Sequence, residues 1–245
     1  MIRVAVERAL KRASWHYRNG TLWFALSRKL GKIGRTYRKP KGNQYYGDVA
    51  EGYTERRSKQ EWWHTEQAIM RELLRDVPDA SSVLDVPFGT GRFVPYFLEK
   101  GMAVHGIDIS DEMIAAAGKE LGSQFEKCAA KVGDATKLAY PDASFDLVVS
   151  FRFLDTILSF GDAKKALAEF SRVTKSQAIL ELSVRKESSA RPRLPREDEV
   201  MGGLLYPREI EELLATFRLR VVKKSDVIKD TGDWCMYAYL CEKVS

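Results

Sequence analysis

The stretch VLDVPFGTGRF, residues 83–93, decides the fold of this chain. A short apolar run ends at Asp85, the chain turns through Gly89 and Gly91, and an amphipathic segment follows from Arg92. Glycines at such a turn can adopt backbone angles closed to other residues, and they let a ligand approach without a Cβ in the way. The pattern predicts a strand, a ligand-binding loop and a helix.

Outward from this stretch, short apolar strands alternate with helices. The predicted strands are 82–86, 103–107, part of 125–132, 145–150, 178–184, 219–228 and 235–242. The predicted helices are 92–100, 112–121, a short piece at 154–158, 163–173 and 207–216. Such alternation predicts an α/β fold: a doubly wound, mostly parallel seven-stranded sheet with helices on both faces. The last strand should be antiparallel, because only KDTGDW separates it from the strand before it.

The N-terminal segment differs from the rest of the chain in charge. Residues 1–41 hold twelve Lys or Arg and one acidic residue, whereas the whole chain of 245 residues has a net charge of +6. Apolar residues recur among the basic ones at roughly helical spacing, which predicts a helical extension with one or two basic amphipathic helices. We therefore divide the chain into a basic amphipathic arm, 1–44, and an α/β domain, 45–245.

Composition limits the cellular compartment and the class of protein that we expect. No apolar run reaches the roughly 18 residues that a membrane span needs, and the N-terminus lacks the apolar core of a secretory signal. Three cysteines without Cys-x-x-Cys spacing argue against a disulfide framework and a zinc site. We expect a cytoplasmic protein that holds no metal.

Three roles for the basic arm stay open. Its aromatic residues can form a helical cap over a site in the domain. Residues 1–41 also suit an anionic membrane surface, which would make the protein peripheral to the inner face of the membrane. A third role is contact with an RNA phosphate backbone. Nucleic acid is the less favoured of these partners.

Acidic residues after the next strands indicate a nucleoside. Asp108 ends the second strand, where its carboxylate can accept hydrogen bonds from both hydroxyls of a ribose. Asp134 can accept from an exocyclic amine and the N–H of Ala135 can donate to a ring nitrogen, which together suit an adenine edge. Taken singly, Gly-x-Gly can be only a tight turn and Asp108 only a helix cap. Their order and spacing favour a nucleoside site.

The glycine turn also indicates which nucleoside is bound. A dinucleotide fold requires Gly-x-Gly-x-x-Gly, and Val94 occupies the third glycine position. Asp85 lies just ahead of the glycines, where it would repel a pyrophosphate and attract a positively charged amino group. The expected ligand is therefore a cationic adenosyl amino acid.

These segments resemble a known family. VLDVPFGTGRF, GIDISDEMIAAA and GDATKLAYPDASFDLVVSFRFLDTI look like successive motifs of class I S-adenosylmethionine-dependent methyltransferases, Rossmann-like enzymes of the small-molecule type. The resemblance runs from about Tyr45 to the C-terminus. It implies S-adenosylmethionine as cofactor and an enzyme that acts on a small molecule, a sugar or a lipid-linked glycan, with oxygen the expected methylated atom. The alternatives are an RNA methyltransferase that uses the arm and a non-catalytic protein that senses the nucleoside.

The resemblance also implies roles for individual residues. The methionine portion would lie along Asp85, Pro87, Gly89 and Gly91. Asp108 would hold the ribose, Ile109 would flank the adenine, and Asp134 with Ala135 would meet its edge. Phe151 and Arg152 would line the pocket near the sulfonium, and YGDVAEGYTERR resembles a lid in which Tyr53 and Arg57 close over the cofactor's carboxylate. One departure is Pro87, which stands where the first glycine is commonest.

Methyl transfer to a hydroxyl benefits from a base. Asp155, which stands where many relatives have histidine, and His64, beside two tryptophans, are the catalytic candidates. A helix cap or surface acid for Asp155 and a structural role for His64 stay open. His105, inside a strand, is expected to be a packed core histidine. The irregular stretch 183–203 is predicted to lie over the acceptor site and to set specificity.

Overall fold

The computed structural model describes residues 50, 52–77, 79–190, 193–229 and 232–244. The basic arm and its predicted helices lie outside the described residues. Helices and strands alternate through the described part as follows: α1 Tyr53–Arg57, α2 Glu61–Leu73, β1 Ser82–Asp85, α3 Val94–Glu99, β2 Ala103–Asp108, α4 Asp111–Leu121, β3 Cys128–Val132, β4 Phe145–Ser150, α5 Phe160–Val173, β5 Thr174–Arg185, α6 Pro207–Thr216, β6 Leu219–Ile228 and β7 Trp234–Lys243. Short 3₁₀ turns follow α2 and α4 at Leu74–Asp76 and Gly122–Lys127.

The strands form one seven-stranded sheet in the order β3-β2-β1-β4-β5-β7-β6. Strands β1 to β5 are parallel to one another, and β7 is antiparallel to both β5 and β6. The predicted doubly wound fold and its antiparallel last strand are confirmed. Because the strand order reverses between β1 and β4, the carboxyl ends of these strands border the crevice where such sheets bind ligands.

Two sequence expectations about the elements were wrong. No helix forms at 154–158; there the N–H groups of Ile157 and Leu158 donate to the Phe153 carbonyl at 3.0 and 3.3 Å, which makes a tight turn. Strand β5 begins at Thr174 and not at Ala178. Its first residues are polar and gave no apolar signal, yet the neighbouring strands extend far enough to pair with them, as Gln177 does with Glu242.

The core lies on both faces of the sheet. On one face α5 and α6 cover the strands, with fully buried Leu154, Leu167, Phe170, Ile210 and Leu214. On the other face α2, α3 and α4 do so, with buried Met70, Leu73, Phe97, Leu147 and Ile179. None of the described helices is long and apolar enough to cross a membrane.

The two buried faces explain the apolar runs in the strands, because a parallel sheet covered on both sides needs apolar residues at every position. His105 of β2 packs its ring edge-on against Phe145 at 5.0 Å and Tyr140 at 5.9 Å between centroids. Burial lowers its pKa. It is the packed histidine that its position in the strand predicts.

Candidate cofactor and acceptor site

The glycine turn between β1 and α3 has the backbone that its sequence requires. Gly89 and Gly91 have φ of +57° and +70°, the left-handed region that favours glycine. The N–H of Gly91 donates to Phe88 O, and that of Val94 to Gly91 O, each at 2.9 Å. A Cβ on Gly91 would lie 2.6 Å from Cδ1 of Leu121. A side chain at Gly91 is therefore disfavoured by backbone angle and by space, and one at Gly89 by backbone angle.

Asp108 joins the tip of β2 to the glycine turn. Its Oδ2 accepts from the Gly89 N–H at 2.8 Å and its Oδ1 from the Ser110 N–H at 3.0 Å. The side chain is buried, which raises its pKa, while these backbone hydrogen bonds act in the opposite direction. The Ile109 N–H donates to the carboxylate as well; a carboxylate has about four lone-pair sites, so these three donors leave acceptor capacity for a ligand hydroxyl.

Apolar surface lies exposed beside Asp108. Ile109 and Val132 are 51% and 54% exposed, unusual for large aliphatic residues next to strand ends. Val132 of β3 pairs with Asp108 of β2, and Ile109 follows Asp108 directly. The exposed residues Ile109 and Val132 therefore lie at the same corner of the sheet. Exposed aliphatic groups beside a fixed carboxylate suit the flat ring and the sugar of a nucleoside. Sequence reasoning found Ile109 and missed Val132, because a valine ending a strand gives no signal of exposure.

Asp134 and Ala135 follow β3 at this corner. The exposed Asp134 accepts through Oδ1 from the N–H and the hydroxyl of Thr136, both at 2.8 Å. Its other oxygen is the one that could receive an exocyclic amine. Ala135 is buried, and the preceding Gly133 N–H donates to Asp108 O at 2.9 Å. The segment after β3 is thus tied to the end of β2.

Asp85 is the buried carboxylate at the end of β1, 3% exposed. Burial raises its pKa well above the ordinary value, the positive charge of Arg92 lowers it, and the charge of Asp108 raises it further. Pro87, which follows a cis peptide bond, begins the glycine turn directly after this strand. A positively charged ligand group would relieve the cost of ionising Asp85.

Phe151 and Arg152 directly follow β4. Phe151 is buried, with its ring edge-on to Phe93 at 5.0 Å between centroids. Arg152 has φ of +55°, which is uncommon for a residue with a Cβ and typical of functional turns. The chain therefore changes direction sharply where β4 enters the crevice.

Helix α1 lies against the glycine turn. The hydroxyl oxygens of Thr54 and Thr90 are 2.9 Å apart. The Arg57 guanidinium lies 5.4 Å from the centroid of the Tyr53 ring and 5.6 Å from that of Trp62. The segment expected to act as a lid is thus in contact with the turn that it would cover.

Helix α2 supplies a buried carboxylate that sequence reasoning missed. Glu66 is fully buried and contacts Nη2 of Arg92 at 2.5 Å, while its Oε1 accepts from Nε of Arg152 at 2.6 Å. Arg152 lies 3.8 Å from the centroid of Trp62, and Arg92 lies 4.6 Å from that of Trp63. The available signal was an acid on the apolar stripe of a helix, where a charge requires a partner.

The two candidate bases lie in different surroundings. Asp155 is 1% exposed, and its Oδ2 accepts from the Ser183 N–H at 2.7 Å; burial raises its pKa. His64 is on the exposed side of α2, where its Nε2 is 2.8 Å from the Ser58 carbonyl oxygen. The structure brings Asp155 to the carboxyl edge of the sheet and leaves His64 on the outer surface, because the inner face of α2 carries Glu66 and Ile69.

The long segment after β5 packs beyond the strand ends. The N–H groups of Gly202 and Gly203 donate to the carbonyls of Asp155 and Ser183 at 3.1 and 3.4 Å. Within the segment, hydrogen bonds from Arg193 and Arg196 lower the pKa of Glu199 to about 2. Its described part is therefore anchored next to Asp155, the position expected for a segment that shapes an acceptor site.

The donor set fits a cationic adenosyl amino acid. Asp108 retains acceptor capacity for hydroxyls, Ile109 and Val132 offer apolar surface, and Asp85 is a buried carboxylate that favours a positive group. Among the residues described, no three His, Cys, Asp or Glu side chains are grouped as metal ligands would be.

The comparisons with known proteins agree with this geometry. Residues 84–182 match the family described as "Methyltransferase domain". The matched segment runs from within β1 to within β5 and includes the glycine turn and Asp108. Residues 84–182 therefore match a methyltransferase domain, and the strand order is that of the Rossmann-like fold of class I methyltransferases, which use S-adenosylmethionine as methyl donor.

Two curated relatives are methyltransferases by name. The chain is 24% identical over 194 residues to an uncharacterized methyltransferase of Schizosaccharomyces pombe, covering 75% of this chain and 63% of that protein. It is 38% identical over 94 residues to demethylmenaquinone methyltransferase of Deinococcus radiodurans, covering 37% of each protein. The chain thus spans less than two thirds of the length of either relative.

A solved structure shares the fold. The 1,6-didemethyltoxoflavin-N1-methyltransferase of Burkholderia thailandensis, with bound 1,6-didemethyltoxoflavin and S-adenosylhomocysteine, superposes with a TM-score of 0.61 at 21% identity. The superposition covers 83% of this chain and 85% of that one. At this level of identity the likeness establishes the fold alone.

Proposed function

We propose that the protein transfers a methyl group from S-adenosylmethionine to an oxygen of a small molecule, with a sugar or a lipid-linked glycan as the expected acceptor. The observation that carries the proposal is the Asp108 carboxylate, buried at the tip of β2 and fixed by the N–H of Gly89. Its neighbour Ile109 offers exposed apolar surface. A fixed acceptor, a bare glycine turn and an apolar flank together suit an adenosyl group.

Methyl transfer requires the chain mainly to hold and orient the cofactor and the acceptor and to exclude water. S-adenosylmethionine supplies a methyl group on a positively charged sulfur, which activates it toward displacement. We assign the ribose hydroxyls to Asp108 and the amino group to Asp85. Asp134 and Ala135 would meet the adenine edge, and the glycine turn would admit the methionine portion.

Arg57 and Tyr53 of α1 are our proposed lid residues for the carboxylate of the cofactor. The hydroxyl contact between Thr54 and Thr90 supports this assignment, because it places α1 at the glycine turn. Arg92 is a further candidate, since its Nη1 is buried and has no hydrogen-bond partner among the described residues.

On the acceptor side, Asp155 is the proposed base for a hydroxyl. Burial raises its pKa, which moves a carboxyl toward the working range of a general base. The loop that holds Gly202 against Asp155 would then form one wall of the acceptor pocket. His64 is a weaker choice because the Ser58 carbonyl engages it on the outer surface.

Two observations support a small-molecule acceptor. The names of the relatives refer to small molecules, demethylmenaquinone in one protein and 1,6-didemethyltoxoflavin in the other. The basic residues of 1–41 would add contact with an anionic membrane surface, where a lipid-linked acceptor would be found.

Calorimetry followed by a transfer assay tests the proposal. The full chain is titrated with S-adenosylmethionine and with S-adenosylhomocysteine, and is then incubated with methyl-labelled S-adenosylmethionine and a deproteinised cell extract. We expect binding of both compounds and labelled small molecules by mass spectrometry. Binding without label in any metabolite or glycan would favour a non-catalytic sensor, and label confined to added RNA would favour an RNA methyltransferase.

A further inference from the structure

Glu181 lies where β5 extends beyond the end of the neighbouring strand β4. Ser150, the last residue of β4, pairs with Leu180, while β5 continues to Arg185. Glu181 is the first residue of this overhang and shares the face of Ile179, which packs toward α2. Ile179 pairs with Val149 of β4, and Val149 pairs with Asp85 of β1, so Ile179 and Asp85 lie at the same height in the sheet. Glu181 therefore lies closer than Asp85 to the carboxyl edge of the sheet, where ligands bind in this fold.

The Glu181 carboxylate lacks the donors that a buried charge requires. It is 1% exposed, and neither oxygen accepts a hydrogen bond from the described residues. Its nearest cation is Nε of Arg152, 3.4 Å from Oε1. That same Nε donates to Glu66 at 2.6 Å. A buried carboxylate that is left with one long and shared contact is costly unless something else compensates its charge.

Charged groups of both signs surround Glu181. The charged groups that face it are Glu66 from α2, Arg92 from the turn before α3, and Arg152 and Asp155 from the loop after β4. The opposite residue on β7 is Ala238. Together with Glu181 itself, this cluster holds three carboxylates and two guanidinium groups, so one negative charge lacks a counter-charge when all of them are ionised. Burial, reinforced by the charge of Glu66, raises the pKa of Glu181 well above its ordinary value.

We propose that Glu181 is the counter-ion for the positively charged sulfur of bound S-adenosylmethionine, and that it exchanges a proton for that charge. In the exchange the carboxyl O–H bond breaks, the proton leaves to the buffer, and no bond to the cofactor forms. S-adenosylhomocysteine has an uncharged thioether and leaves the proton in place. The inference rests on the proposed function, and it gives the site a means of favouring the methyl donor over the demethylated product.

Calorimetry measures this exchange directly. The full chain and its Glu181→Gln variant are titrated with S-adenosylmethionine and S-adenosylhomocysteine at pH 7 in phosphate and in Tris, whose ionisation enthalpies differ. For the unaltered protein we expect more protons released with the sulfonium than with the thioether. In Glu181→Gln this difference should vanish, and the preference for S-adenosylmethionine should fall about tenfold, the order expected for one poorly screened charge. Glu120→Gln, an exposed change of the same charge on α4, should alter neither quantity.

The outcomes separate this inference from the proposed function. Binding of S-adenosylhomocysteine by Glu181→Gln at unchanged affinity shows that the variant is folded, and a lost preference then supports the counter-ion role. If the variant keeps both the preference and the proton release of the unaltered protein, the inference is overturned while the proposed function stands. If the unaltered protein binds neither compound, both are overturned.

Discussion

At the scale of single residues, two buried or half-buried aspartates show how surroundings decide the charge of a carboxyl. Asp146 of β4 accepts through Oδ2 from the N–H and the hydroxyl of both Ser81 and Ser82, at 2.7 to 3.0 Å. These bonds hold its pKa well below the ordinary value. Asp85 lies at the opposite end of β1, where burial raises its pKa. One carboxyl therefore stabilises the strand, and the other is the one that we propose for the amino group of the cofactor.

Changing Asp108 to Asn should weaken binding of S-adenosylmethionine by about 10- to 100-fold. Asn keeps one acceptor and loses the charge, and hydrogen bonds to charged groups contribute about 1.5–3 kcal/mol each. Isothermal titration calorimetry measures the change. Asp111→Asn, an exposed residue in the first turn of α4, should leave affinity within twofold. Equal affinities for the two variants would contradict the ribose role of Asp108.

Changing Asp146 to Asn should lower the free energy of unfolding by about 2 kcal/mol at pH 7, because the acceptor of four hydrogen bonds loses its charge. The pKa of Asp146 is depressed on folding, so its contribution is present above the ordinary carboxyl pKa and is lost as the pH falls. The difference in the free energy of unfolding between the unaltered protein and Asp146→Asn should therefore shrink below about pH 4. Urea unfolding at several pH values measures it, with exposed Asp79→Asn as control. A gap independent of pH would exclude this account.

The sequence predicted residues that act locally and missed those that act through distant partners. The glycine turn could be predicted because its backbone angles favour glycine. Asp108 could be predicted because an acidic residue at the end of an apolar strand indicates a polar role. Arg152 was expected near the sulfonium, but Glu66, Arg92 and the ion pairs that join them could not be found, because Glu66 and Arg152 are 86 positions apart and only the packing of α2 brings them together.

At the scale of elements, α2 is coupled to the site by charge as well as by packing. Its inner face is apolar except for Glu66, which holds the guanidinium groups of Arg92 and Arg152. These arginines belong to the turns that follow β1 and β4. Helix α2 therefore fixes both turns that border the crevice, and α1 follows through the contact of Thr54 with Thr90.

Changing Glu66 to Gln should lower the free energy of unfolding by about 3 kcal/mol, because the half-buried guanidinium groups of Arg92 and Arg152 lose the buried carboxylate that they share. Affinity for S-adenosylmethionine should fall as well, since the turns lose their common anchor. Thermal unfolding and calorimetry measure the two effects. Glu61→Gln, exposed on the same helix, is the matched control and should change neither. An unfolding temperature equal to that of the control would show that the cluster does not hold the helix.

The elements differed in how well the sequence revealed them. Strands β1, β2 and β4 are apolar because helices cover both faces, so their runs were easy to recognise. The polar start of β5 at Thr174 and the turn at 154–158 were not recognisable, because pairing with neighbouring strands and anchoring by the loop after β5 decide them. The N–H of Gly202 donates to the Asp155 carbonyl, and this contact joins residues too far apart in the sequence for periodicity to detect.

At the scale of the whole molecule, the charge is divided between two parts of the chain. The twelve Lys or Arg of residues 1–41 stand beside one acid, while the remaining residues contain more acids than bases. Tryptophan, phenylalanine and leucine lie among those basic residues. Basic residues add about 1 kcal/mol each near an anionic leaflet, and aromatic ones prefer its interface. This composition suits an anionic membrane surface, which is one of the three roles of the arm that stay open.

Removing residues 1–41 should abolish association with vesicles that contain anionic phosphatidylglycerol and leave the affinity for S-adenosylmethionine within about threefold, because the cofactor residues proposed here begin at Tyr53. Sedimentation with vesicles at low ionic strength measures the association. The full chain should sediment with anionic vesicles, remain free with neutral phosphatidylcholine vesicles, and dissociate at about 0.5 M salt because salt screens exposed charges. Loss of cofactor binding in the truncated chain would make the arm a cap over the site. If the full chain does not sediment with anionic vesicles, the membrane role is contradicted. The main physical argument for a lipid-linked acceptor is then lost as well.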